Sequence, residues 1–63
     1  MKIELPDGGV HEQSGRYVIR ELLTGLGINP LEVLVAKNGR IVPEDDTAGD
    51  EDVLRVITIK SGG

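Results

Sequence analysis

The chain has 63 residues, a formal charge of −4, one aromatic residue and no cysteine. That length supports one domain with a thin core, since a chain of this size buries only about 60% of its unfolded surface. The missing cysteines exclude a disulfide scaffold, a thiolate metal site and a cysteine nucleophile, and scattered basic residues with Tyr17 as the lone aromatic argue against direct nucleic-acid binding.

No apolar run approaches membrane-spanning length and no signal-like segment opens the sequence, which predicts a soluble, cytoplasmic protein without membrane contact. So small a domain hardly builds a water-excluding pocket. If it takes part in chemistry, it is expected to be acted upon: no enzyme, no catalytic residues and no bound cofactor.

Met1, Ile3 and Leu5 alternate with Lys2 and Glu4, the period of a half-buried strand. The turn chemistry of Pro6-Asp7-Gly8-Gly9 leads to a weak return strand at 10–13. Ser14 is placed to cap a helix, along which Val18, Ile19, Leu22, Leu23 and Leu26 form one apolar stripe. Gly25 and Gly27 weaken its end and Ile28-Asn29-Pro30 stops it. The run 31–37 holds four consecutive apolar residues and reads as a strand covered on both faces; the pattern does not fix which parity meets the core. Asn38-Gly39 signals a two-residue hairpin turn, and a short strand at 40–42 ends at Pro43. Residues 44–52 read as an acidic surface loop, either solvated or meeting a basic partner. The last strand is expected at 53–60.

One helix covers only one face of such a sheet. In the last strand Leu54 and Val56 share one parity, while Val53, Arg55, Ile57 and Ile59 share the other. Because Arg55 sits in the second set, Leu54 and Val56 are assigned to the core. Ile57, Ile59 and Arg55 are then expected to form a docking patch on the open face, the alternative being a loop that covers the two isoleucines.

The stretches GRYVIRELLTGLGINPLEV, VAKNGRIVPED and DVLRVITIKSGG, with Gly62-Gly63 closing the sequence, resemble the ThiS/MoaD sulfur carriers. They also resemble the related ubiquitin-related and small archaeal modifiers, NGRIVPED looking most like the archaeal ones. The resemblance covers almost the whole chain. It implies an α+β, ubiquitin-like β-grasp: a mixed five-stranded sheet with one helix, in the order ββαβββ. The domain would span 1–60, with a flexible tail at 61–63, and a monomer suits a tail that must thread into an enzyme.

The resemblance further implies chemistry at Gly63. A ubiquitin-activating-type adenylyltransferase would use ATP and magnesium to turn its carboxylate into an acyl-adenylate. A downstream sulfur-transfer enzyme would then make a thiocarboxylate for tRNA thiolation, molybdopterin or thiazole synthesis, or a target lysine would form an isopeptide bond. Gly62 leaves the channel to the reacting carbonyl free of a Cβ, while Ser61 and Lys60 would line that channel through backbone contacts. Lys2, Lys37 and Lys60 are possible acceptors for self-conjugation. His11 stands alone, too few ligands for a metal and without an orienting partner for catalysis. The alternative is a non-covalent β-grasp adaptor binding through its open sheet face, and deletion of Gly63 separates the two.

Overall fold

The computed structural model describes residues 1–59. β1 (Lys2–Glu4) turns into β2 (Val10–Glu12), antiparallel with Ile3 opposite His11. The turn closes through Leu5 N–H to the Gly9 carbonyl at 2.8 Å, and the Asp7 carboxylate accepts the Gly9 N–H at 2.8 Å. Then follow β3 (Tyr17–Val18), α1 (Ile19–Gly25), a 3-10 turn (Pro30–Glu32), β4 (Val33–Lys37), β5 (Arg40–Val42), β6 (Thr47–Ala48) and β7 (Val53–Thr58).

Five strands form one sheet in the order β2-β1-β7-β4-β5. β7 lies in the middle, parallel to β1 and antiparallel to β4, so the sheet is mixed as expected. α1 packs on one face. The core consists of Ile3, Ile19, Leu22, Leu23, Val35, Ala48, Leu54 and Val56. A seven-residue helix has little stability alone, and burial of its Ile19-Leu22-Leu23 stripe holds it.

Four expectations are corrected. Ser14 does not cap the helix. Gly15 takes φ +104°, and the chain then extends through β3, which pairs with β6 in a second, two-stranded sheet. The helix begins only at Ile19, and backbone replaces the side-chain cap: Ile19 N–H donates to the Asp46 carbonyl at 2.9 Å and Arg20 N–H to the Glu44 carbonyl at 2.7 Å. The fourth strand starts at Val33, because Asn29 Oδ1 accepts the Leu31 N–H and winds Pro30–Glu32 into the 3-10 turn. That strand is covered on one face only: Val35 is buried, whereas Leu34 is 42% exposed. Lastly, the acidic segment is no plain solvated loop, since it contains β6 and sends Ala48 into the core.

The helix exit follows its glycines. Gly27 adopts φ +77°, its N–H donates to the Thr24 carbonyl, and the Ile28 N–H donates to the Leu23 carbonyl at 2.8 Å, the paired bonds of a Schellman end. Asn38 (φ 52°) and Gly39 (φ 86°) form the expected turn with positive φ at both positions.

Candidate functional site

The alternation of β7 builds the open face. Leu54 and Val56 are buried, and Val53, Arg55 and Ile57 are exposed, so the parity read from sequence holds. The register extends this face across the sheet. Leu34 pairs with Ile57. Ala36 stands between Arg55 on one side and Ile41 on the other, and Glu4 lies between Arg55 and Val10. A third row places Lys2 between Val53 and Glu12.

The face has two ends of different character. Near the end of β7, Ile57, Ile59 and Leu34 are exposed apolar side chains, with Ile41 beside them on β5. Towards β1 the surface is charged. Arg55 Nε donates to Glu4 Oε1 at 3.2 Å, and Lys2 Nζ lies 3.9 Å from the other oxygen of Glu4. Pairs this exposed contribute at most about 1 kcal/mol. The Arg55 side chain stays 68% exposed despite the pairing.

β7 ends with Thr58 opposite Val33, and the next N–H, that of Ile59, still donates to the Glu32 carbonyl at 3.1 Å. The described chain thus ends on the central strand of the sheet, beside the apolar end of the face. Lys60, Ser61, Gly62 and Gly63, where the acyl chemistry is expected, lie outside the described residues.

On the helix side, Lys37 Nζ lies 3.0 Å from Asp46 Oδ2 and donates to the Thr47 carbonyl at 3.0 Å. The Lys37 bond and the Thr47 N–H hold the Asp46 carboxyl below its ordinary value. Asp52 is lowered in the same way, first by the Gly49 N–H and then by Asn38 Nδ2 at 2.8 Å. Asn38 Oδ1 also accepts the Val53 N–H, tying the hairpin turn to the start of β7. His11 donates through Nε2 to Gln13 Oε1 at 2.8 Å. Among the described residues no cluster of three His, Cys, Asp or Glu side chains could hold a metal ion, and no helix is long and apolar enough to cross a membrane.

Arg55 and Ile57 are thus brought together on one face, with the exposed Ile59 just past the end of β7, Lys2 at the far end of the face and Lys37 on the opposite side of the sheet. Sequence reasoning missed Leu34 and Ile41. The signal was present: the Asn38-Gly39 turn fixes Ala36 opposite Ile41, which gives both strands their parity.

A single helix on one face of a mixed five-stranded sheet, with the last strand at its centre, defines a ubiquitin-like β-grasp protein. Residues 7–63 match the ThiS family model, and the chain belongs to the ThiS family. Among curated proteins it is similar to sulfur carrier protein TtuB of Thermus thermophilus, with 33% identity over 61 residues, 97% of this chain and 94% of the relative. The crystal structure of the thiamine biosynthesis protein ThiS from Geobacter metallireducens matches over 100% of both chains, with a TM-score of 0.70 at 21% identity, a likeness of fold.

Proposed function

We propose that this protein is a ubiquitin-like sulfur carrier, a substrate protein and no enzyme, whose Gly63 carboxylate is activated and then loaded with sulfur. The observation that carries this reading is the nearly full-length match to a sulfur carrier in a family whose model extends through Gly62-Gly63. The central position of β7 supports it, because that strand is the last described element before those glycines in the sequence.

A carboxylate repels nucleophiles and lacks a good leaving group. In the proposed cycle a ubiquitin-activating-type adenylyltransferase, with ATP and magnesium, lets a Gly63 oxygen attack the α-phosphate and releases pyrophosphate. Hydrosulfide then attacks the acyl carbon, the C–S bond forms and AMP departs with the C–O electron pair, dividing one hard acyl transfer into easier steps. The product is a thiocarboxylate for a downstream sulfur-transfer enzyme, in tRNA thiolation, molybdopterin synthesis or thiazole synthesis. If a lysine amine attacks instead, the chain becomes a protein modifier joined by an isopeptide bond. The downstream enzyme selects among these ends. The carrier works as a cytoplasmic monomer.

The activating enzyme docks on the open face around Ile57, Ile59 and Arg55, joined by Leu34 and Ile41. Gly62 and Gly63 enter its channel, with Ser61 and Lys60 held through their backbone. The test is ATP–pyrophosphate exchange with a cognate adenylyltransferase. Exchange that depends on the carrier and vanishes when Gly63 is deleted supports the reading. A chain lacking Gly63 that retains full cellular function would instead favour the non-covalent adaptor.

A further inference from the structure

The two lysines among the described residues stand in opposite circumstances. The Lys37 side chain is 24% exposed, and its ammonium is engaged by the Asp46 carboxylate and the Thr47 carbonyl. The segment it holds is structural: its carbonyls receive the first N–H groups of α1, and Ala48 belongs to the core. Before its amine could attack anything it would have to leave both partners. Acylation would then remove the charge on which the ion pair depends.

Lys2 is 52% exposed on the open face, and its contact is a 3.9 Å approach to Glu4. Converting its ammonium to an amide disturbs one long, exposed pair, which contributes little. It stands beside Val53, at the far end of the face from Ile57 and Ile59. It lies one row beyond the Arg55–Glu4 pair, on the side away from Ile57.

We propose that Lys2 is the amine through which this domain accepts the activated C-terminal acyl group of a second copy, while Lys37 is withheld as a structural lysine; this rests on the activation of Gly63 proposed above. The neutral amine attacks the carbonyl carbon of the acyl-adenylate. The C–N bond forms, the C–O bond to the phosphate breaks, AMP leaves and the surplus proton passes to solvent. Chain geometry favours transfer between copies. Val53 and Ile59 are six residues apart along an extended segment, about 20 Å. Four further residues reach at most about 14 Å, short of that separation.

The test incubates the full chain and its Lys2→Arg and Lys37→Arg variants with activating enzyme, ATP and magnesium. Branched peptides are sequenced by mass spectrometry, and a parallel reaction traps the activated chain with hydroxylamine. The expected result is a covalent dimer branched at Lys2, lost in Lys2→Arg and retained in Lys37→Arg. A second arm needs no enzyme: limiting acetic anhydride should acetylate Lys2 before Lys37 in the folded chain, and urea should abolish that order. A branch at Lys37 or Lys60, a hydroxylamine adduct without dimer, or equal acetylation of Lys2 and Lys37 in the folded chain would overturn the inference and leave the carrier function standing. Absence of any hydroxylamine adduct, with an enzyme active on another carrier, would defeat the carrier reading and this inference together.

Discussion

Leu34 and Ile57 stand opposite each other on β4 and β7, both exposed on the face of the sheet that the helix leaves uncovered. Neither contributes to the core, and the docking proposed above would bury both. Ile57→Asp and Leu34→Asp should each cost about 1 kcal/mol of stability, the range of strand propensity. Affinity for the activating enzyme should fall on the order of tenfold or more, as for an apolar anchor in an interface. Calorimetric titration alongside thermal melting checks both. Loss of cooperative folding in these variants would place the residues in the core.

The buried parity of β7 gives the opposite outcome. Leu54 is 2% exposed among the residues packed on α1. Leu54→Ala should cost about 2–5 kcal/mol, a large share of the stability of a small domain. Val53→Ala, on the exposed parity, should stay within about 0.5–1 kcal/mol of the parent in urea denaturation.

Two glycines at the end of α1 should respond in opposite directions to the same change. A Cβ at either would meet nothing within 4 Å, so only backbone conformation separates them. Gly27, at φ +77°, should lose about 1 kcal/mol on substitution by alanine. Gly25 closes the helix, and Gly25→Ala should gain about 0.5–1 kcal/mol. Melting temperatures of the pair decide this.

Acid should loosen the β6 segment first. Asp46 and Asp52 are held below the ordinary carboxyl value of 3.8 by Lys37, Asn38 and backbone N–H groups. A carboxyl lowered in the folded state adds stability that is present above its unfolded value and lost as pH falls through its folded one. The loss attributable to these two groups should therefore appear below about pH 4. Asp46→Asn should reduce stability near neutrality and flatten that acid limb, read by melting against pH.

Much of the fold was legible because this sequence punctuates its elements strongly. The Asn38-Gly39 turn, the helical stripe from Ile19 to Leu23 and the parity of Leu54 and Val56 all reappear in the structure. The failures share a cause. Ser14 satisfies the local rule for a helix cap, yet the two N–H groups that open α1 are taken by carbonyls more than twenty residues away, at Glu44 and Asp46. Likewise Ala48 is too small to announce a strand, and β6 exists because β3 offers it a partner. Local chemistry shows what a segment favours, and long-range pairing decides whether that preference is used. In the open face, Arg55, Ile57 and Ile59 were legible from one strand. Leu34 and Ile41 required the register of three.

Sulfur loading of the Gly63 carboxylate is read out by intact mass. The full chain is incubated with a cognate activating enzyme, ATP, magnesium and a sulfide source, beside a chain lacking Gly63. The expected result is a mass rise equal to exchange of one oxygen for sulfur, confined to the chain that keeps Gly63. An unchanged mass, with an enzyme that loads another carrier in the same tube, would contradict it.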